Sequence, residues 1–405
     1  MAGIFWHSSL GQSRHRDWAD TLQTYLLDID LTNHVVVTVG TRPEGVKMAP
    51  VVTALRASGL FRCTLISTGQ HGEMLERTLT DFGLKPDVEL AVMYPDQTLA
   101  GLSSRLFEAL DAAFGRLEPD WVLVQGDTTT VQVAALCAFY RRIRIGHVEA
   151  GLRSHDLTAP FPEELNRRIA GIVADLHFAP TEGAAAHLRR EGVSDNRIVV
   201  TGNTGIDALL DMASRGRHAP PPLPGDMEAF LERHRRIVLI TGHRRENFGE
   251  GFESICRAVA TLAERHPDVG YVYPVHLNPR VRDPVHRALS GWPNILLTAP
   301  QDYRRFVRLM DSAHLILTDS GGVQEEAPSL GKPVLVMRNV TERPEGIAAG
   351  CAELVGTDAD HITTRVSALL TDDAAHARMA RSVNPYGDGF ASGRIIEALA
   401  DASAC

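Results

Sequence analysis

The sequence predicts an α/β protein made of two doubly wound halves that face one another across a cleft. Three observations lead there. Short β-branched and apolar runs recur from residue 34 onward, each run is followed by a longer amphipathic stretch, and the series is interrupted once before it resumes. Uninterrupted apolar strands between helices mark a parallel sheet covered on both faces.

The first series opens with His34–Val39, a Gly turn and a helical pattern through Leu55. Cys63–Ser67 is the next strand candidate. Trp121–Gln125 runs into Gly126-Asp127 and a helix over Val131–Phe139, and Ile143–Val148, Leu176–Phe178 and Arg197–Thr201 complete the half. After Gly202 the chain reads as irregular, with a hinge near residues 202–208 and a break at Pro220-Pro221-Pro222-Leu223-Pro224. The second series comprises Ile237–Ile240, Tyr271–Val275, Ile295–Leu297, Leu315–Thr318 and Pro333–Val336. Residues 1–33 stand apart. Trp18, Leu22, Tyr25, Leu26 and Ile29 have the spacing of a short amphipathic helix, expected to pack on the body or on a second subunit.

A length of 405 residues fits two or three domains at roughly 150 residues each. Lys plus Arg is 41 against 50 for Asp plus Glu, a net charge of −9, which argues against nucleic acid or an anionic membrane as partner. The five cysteines form no CxxC pair, so a reducing compartment is expected rather than a disulfide framework. No apolar run approaches the roughly 18–20 residues of a bilayer span, and the N-terminus lacks a secretory pattern. A cytoplasmic protein is expected.

Ligands of doubly wound sheets bind beyond the carboxyl ends of the strands, which here places the site in the cleft. Polar clusters occupy those ends. Ser320-Gly321-Gly322 follows an apolar run and opens a helix, an arrangement that brings backbone N–H groups to an anion. Glu326, further along, is suited to accept ribose hydroxyls; the alternative is a tight turn with a solvated Glu pair. Arg42, with Lys47 one turn on, and His243 with Arg244 and Arg245 each follow the first strand of a half. Each alone reads equally as a surface helix start.

Carboxylates are the sharper signal. Asp127 and Glu149 follow successive strands, and Glu163 lies in Phe161-Pro162-Glu163-Glu164-Leu165-Asn166-Arg167. Acids at a mid-sheet edge are costly unless paired or functional. Bland alternatives are an Asp127 helix cap and an exposed Glu164. HExxH, GxSxG and GxxxxGK[ST] are absent, and the first turn reads GTRPEG rather than GxGxxG. His147-Val148-Glu149 reads as a strand end, not a ligand triplet. No essential metal and no cofactor are expected.

Together these segments resemble the non-hydrolysing UDP-N-acetylglucosamine 2-epimerases. The matching blocks include Gly40-Thr41-Arg42-Pro43-Glu44, Gln125-Gly126-Asp127-Thr128-Thr129-Thr130 and His147-Val148-Glu149-Ala150-Gly151-Leu152-Arg153. Thr241-Gly242-His243-Arg244-Arg245-Glu246-Asn247, Thr341-Glu342-Arg343-Pro344-Glu345 and Asn384-Pro385-Tyr386-Gly387-Asp388-Gly389 follow in order. The resemblance begins near residue 34 and leaves the N-terminal extension uncovered. It implies two Rossmann-like domains in a GT-B-like arrangement, 34–203 plus 385–405 with the catalytic carboxylates and 204–384 for UDP. It also implies a homodimer that interconverts UDP-GlcNAc and UDP-ManNAc through elimination and re-addition of UDP.

By position, the resemblance makes Asp127, Glu149 and Glu163 the catalytic carboxylates, with His243 acting on the leaving diphosphate. Arg42 and Lys47 line the cleft. Arg167, His243, Ser320, Gly321 and Gly322 hold phosphates, Phe306 lies against uracil, Glu326 takes the ribose and Arg343 supports the nucleotide. Gly45 and Gly346 stand where the family usually has Ala, and Asn339 where it has Asp; loosened loops are the expected result. Some relatives bind a second UDP-GlcNAc as activator through a motif of which Gln70 and His71 remain, while Glu73 and Asp96 replace its other positions. Two carboxylates facing a diphosphate imply weak or altered activation. Competing readings are a hydrolysing epimerase, a 2-epimerase of another UDP-2-acetamido sugar, a GT-B transferase and a non-catalytic UDP-sugar sensor.

Overall fold

The computed structural model of the chain describes residues 33–404, His71 and Pro95 excepted. The expected helix in residues 1–33 lies outside the described residues, Asn33 apart. Two parallel sheets carry the fold. The first contains β1 (His34–Val39), β2 (Arg62–Ser67), β3 (Val88–Glu89), β4 (Trp121–Gln125), β5 (Arg144–Val148), β6 (Leu176–Ala179) and β7 (Ile198–Val200), in the order β3-β2-β1-β4-β5-β6-β7. The second contains β8 (Arg236–Thr241), β9 (Val269–Pro274), β10 (Ile295–Thr298), β11 (Leu315–Thr318), β12 (Val334–Val336) and β13 (Ala352–Leu354), in the order β10-β9-β8-β11-β12-β13.

These runs form strands because both faces are buried in alternation. Val35, Val37 and Val39 of β1 join Trp121 and Leu123 of β4 in one core, while Val36, Val122 and Val124 enter the core on the opposite face. Each such side chain contributes about 1.5–3 kcal/mol on burial. Strand order reverses between β1 and β4 in the first sheet and between β8 and β11 in the second. Those two crevices are where a doubly wound fold binds ligands.

The C-terminal helix Ala391–Ala404 returns to the first half, where Ile395, Ile396 and Leu399 complete its core. Trp121 Nε1 donates to Ser403 Oγ at 3.2 Å and Arg144 Nη1 to the Ala402 carbonyl at 2.9 Å. Asp207 accepts the backbone N–H groups of Ala391 and Ser392 at that helix's start, at 3.2 and 2.7 Å.

Two expectations are corrected. The chain after Gly202 is not irregular: Thr204–His218 is a helix, begun by Asn203, whose side chain accepts the Gly205 N–H at 2.8 Å. Its buried Ile206, Leu209, Met212 and Ala213 follow helical spacing, which the glycines at 205 and 216 obscure. Gly45 and Gly346 do not loosen loops, since both lie inside helices, Arg42–Ser58 and Pro344–Ala348. A Cβ at Gly45 would stand 2.5 Å from the Leu75 side chain, and the Gly346 N–H donates to the Tyr386 hydroxyl at 3.0 Å. The short edge strands β3 and β13 have too few residues for a period of two to be read. Among the described residues no helix is long and apolar enough to cross a membrane.

Candidate active site

The turn after β1 is tied to the turn after β4 by one buried acid. Glu44 accepts the backbone N–H groups of Gly40 and Thr41, both at 2.6 Å, and the Thr128 hydroxyl. Burial raises its carboxyl above the ordinary range, and these hydrogen bonds pull it back. Arg42 and Asp127 are thereby held on either side of the first crevice. One turn along the helix Arg42–Ser58, the Lys47 ammonium donates to the Glu149 carboxylate, which also accepts from the Gln125 amide. Glu149 follows β5 with φ +64°, a left-handed conformation that costs a non-glycine residue about 1–3 kcal/mol. Strain at an acid gripped by two donors marks a position selected for where the carboxylate points.

Asp127 does not cap the next helix. Thr128 does so, its hydroxyl accepting the Val131 N–H at 3.4 Å. That leaves the Asp127 carboxylate for the cleft, with its backbone carbonyl accepting from Asn166 Nδ2 at 2.9 Å and its Oδ2 3.3 Å from Arg167 Nη1. Burial, then the neighbouring Glu149, push its carboxyl up to about 6. Glu163, half-buried at the start of the helix Glu163–Val173, adds to that rise. Glu164 is not an exposed helix residue: it is fully buried, accepting from the Ser154 N–H at 2.9 Å and Arg167 Nε at 2.8 Å. Burial alone would raise its carboxyl, but these partners hold it below the usual range.

In the second half, Ser320 lies two residues beyond β11, at the start of the short helix Gly321–Glu326. Gly321 is buried against Arg343, where a Cβ would meet the guanidinium carbon at 3.2 Å, while Gly322 opens onto free space. Arg343 Nε donates to Glu325 at 2.7 Å, and Glu325 also accepts from Asn203 Nδ2 at 2.9 Å. Glu326 is raised to about 8, by burial first and then by the charge of Glu325. Asp319 is fully buried and accepts the N–H groups of His243 and Arg244 at 2.9 and 2.8 Å, so it shapes the loop after β8. The His243 ring stacks on His276 with centroids 5.6 Å apart, and burial lowers its pKa, leaving a neutral imidazole at pH 7.

A cavity of about 410 Å³ lies between the halves. Arg42 and Lys47 line one wall; Phe306, Ser320, Gly322, Glu326 and Arg343 line the other. These expected residues are brought together. Asp127, Glu149, Glu163 and Arg167 form the adjoining cluster at the β4 and β5 ends. His243 lies beside Asp319, outside that lining. A more open hollow of about 720 Å³ near Arg257, Arg338 and His361 holds none of the expected residues.

Gln70 and Glu73 stand apart from the cavity. Gln70 accepts the Thr130 hydroxyl at 3.0 Å, Glu73 is exposed beside Arg77, and His71 lies outside the described residues. Sequence reasoning passed over Gln125, Asn203, Tyr303 and Glu325. Gln125 lay within a quoted motif, and Glu325 was legible only as half of a Glu pair.

Two doubly wound halves, with carboxylates on one rim and a glycine turn with arginine on the other, define the two-domain, GT-B-like class of nucleotide-sugar enzymes. The chain belongs to the UDP-N-acetylglucosamine 2-epimerase family, whose pattern matches residues 53–400, and is an isomerase. A UDP-N-acetylglucosamine 2-epimerase from Yersinia pestis is 52% identical over 367 residues, covering 90% of this chain and 98% of its own. Its counterpart from Escherichia coli K12 is 51% identical over 368 residues, with the same coverage. The crystal structure of UDP-GlcNAc 2-epimerase from Neisseria meningitidis bound to UDP-GlcNAc superposes with a TM-score of 0.79 at 42% identity, covering 91% of this chain and all of that one.

Proposed function

We propose that this chain interconverts UDP-GlcNAc and UDP-ManNAc by anti elimination of UDP and its re-addition. The hydrogen on C2 of the sugar has no adjacent carbonyl, so its direct removal would leave an unstabilised carbanion. If a carboxylate takes the proton, the C–H electron pair forms the C1–C2 double bond, and the C1–O bond breaks with its pair moving to the β-phosphate oxygen. The 2-acetamidoglucal is then protonated at C2 from the opposite face while UDP re-attacks C1.

The observation that carries the reading is the pair of acids at adjacent strand ends, Asp127 raised to about 6 and Glu149 gripped by Lys47, beside a cavity with Arg343 on its far wall. An acid poised near neutrality exchanges protons in both directions. In this reading Asp127, Glu149 and Glu163 handle the C2 proton, and neutral His243 assists the departing diphosphate. Arg42, Lys47, Arg167, Ser320, Gly321, Gly322 and Arg343 hold the phosphates and nucleotide. Phe306 covers uracil and Glu326 binds the ribose. The division into 34–203 plus 385–405 and 204–384, homodimeric assembly and a cytoplasmic location belong to the same proposal.

Product analysis by proton and phosphorus NMR tests it. UDP-GlcNAc should give UDP-ManNAc with total nucleotide sugar conserved. Free ManNAc with stoichiometric UDP would make the enzyme hydrolysing, and inertness toward UDP-GlcNAc alone would point to another UDP-2-acetamido sugar.

A further inference from the structure

We propose that His147 is a positioning residue for the elimination: its ring pins the peptide that carries Asp127 and so sets where that carboxylate points. The role deepens the UDP-sugar reading and rests on it. His147 lies on β5, two residues before Glu149, and is 1% exposed. Its Nε2 stands 2.8 Å from the Gly126 carbonyl oxygen. A carbonyl only accepts, so Nε2 carries the proton and donates. Nδ1 is then the bare nitrogen, buried and without a partner. Burial draws the ring down to about 4 against the pull of the Gly126 hydrogen bond, and the charges of Arg153 and Arg167 lower it further. The imidazole is therefore neutral near pH 7, and the tautomer that donates to Gly126 is fixed by that hydrogen bond.

The Gly126 carbonyl belongs to the planar peptide that ends at the Asp127 Cα. The next peptide plane starts from that atom, and its oxygen, the Asp127 carbonyl, accepts from Asn166 Nδ2 at 2.9 Å. With both planes held, the backbone angles of Asp127 are set, and with them the direction of its Cα–Cβ bond. The Gly126 N–H donates to the Val148 carbonyl at 3.0 Å, but that bond anchors the preceding plane. Gly126 itself is left-handed at φ +81°, and a glycine turns between its two planes at little cost. Without the imidazole, the plane that leads into Asp127 loses its anchor. Because His147 and Glu149 share one strand end, the segment that carries the second acid also aims the first.

The test compares His147→Gln with His147→Met in the full chain, measuring epimerisation of UDP-GlcNAc and calorimetric binding of UDP. The two side chains match in length, and only glutamine places an N–H donor where Nε2 stood. Glutamine should keep kcat within about threefold and methionine should lose about a hundredfold, with UDP affinity unchanged in both. Methionine turning over as fast as glutamine overturns the proposal, as does a loss of UDP affinity as large as the loss of kcat. Should the methionine variant not fold, long-range proton–nitrogen NMR of wild type labelled at histidine decides, the His147 signals being those that His147→Gln lacks. The neutral Nε2–H tautomer at pH 7.5 upholds the proposal, and an Nδ1–H tautomer or an imidazolium overturns it. These failures leave the UDP-sugar reading intact, whereas a wild type inert toward UDP-GlcNAc overturns both.

Discussion

One guanidinium serves two acids of different character: Arg167 stands 3.3 Å from the partly exposed Asp127 carboxylate and 2.8 Å from fully buried Glu164. Arg167 pulls the Asp127 pKa down, while burial and Glu149 push it up to about 6. The acidic limb of kcat/KM should therefore fall with an apparent pKa near 6. Arg167→Met removes the downward pull and should move that limb upward by about one unit. A limb unmoved in the variant would separate Arg167 from the ionisation that governs turnover. The same substitution leaves Glu164 buried without its cation and should lower stability by about 2–4 kcal/mol, read by urea unfolding.

Asp127→Asn should abolish most turnover, about a thousandfold in kcat, while UDP affinity stays within a few-fold. It should also stabilise the protein. With a folded pKa near 6 against 3.8 in the unfolded chain, the native state holds a proton that the unfolded state releases between those values. Stability from this group is present below about pH 4 and is lost as pH rises through 6. Asparagine removes that loss and should add about 1–3 kcal/mol at neutral pH. Unfolding curves at pH 7.5 and pH 4 check this, with the advantage confined to the higher pH. Equal stability at both would remove the argument for a strained functional acid.

The strands and the strand-end motifs were legible because buried apolar runs are local, and each polar cluster follows its strand directly. What escaped depends on contacts distant in sequence. Glu164 looks like any helix-face acid until Ser154 and Arg167 close around it, and the role of Glu325 needs Asn203 and Arg343 brought together by the fold. Thr128 displaced Asp127 as helix cap because adjacent polar residues compete for one N–H, and spacing alone does not rank them.

Glu325 ties Asn203, at the start of the helix Thr204–His218, to Arg343 on the cavity wall. Its carboxylate accepts from Asn203 and Arg343, and its backbone carbonyl accepts from Asn384 Nδ2 at 2.8 Å. Glu325→Ala should cost about 2–3 kcal/mol of stability and raise KM for UDP-GlcNAc, because Arg343 loses its anchor. Wild-type KM in a folded variant would uncouple the Asn203–Glu325–Arg343 contact from nucleotide binding.

Initial rates should rise hyperbolically with UDP-GlcNAc. Glu73 and Asp96 are both exposed carboxylates, which would repel a second diphosphate. A sigmoidal rise with UDP-GlcNAc would contradict this.

The most direct measurement is proton NMR of the full chain turning over UDP-GlcNAc in deuterium oxide. Proton abstraction at C2 followed by return from solvent predicts loss of the C2 proton signal from both epimers, at a rate no slower than epimerisation. Inversion at C2 with the original hydrogen retained would contradict the elimination outright.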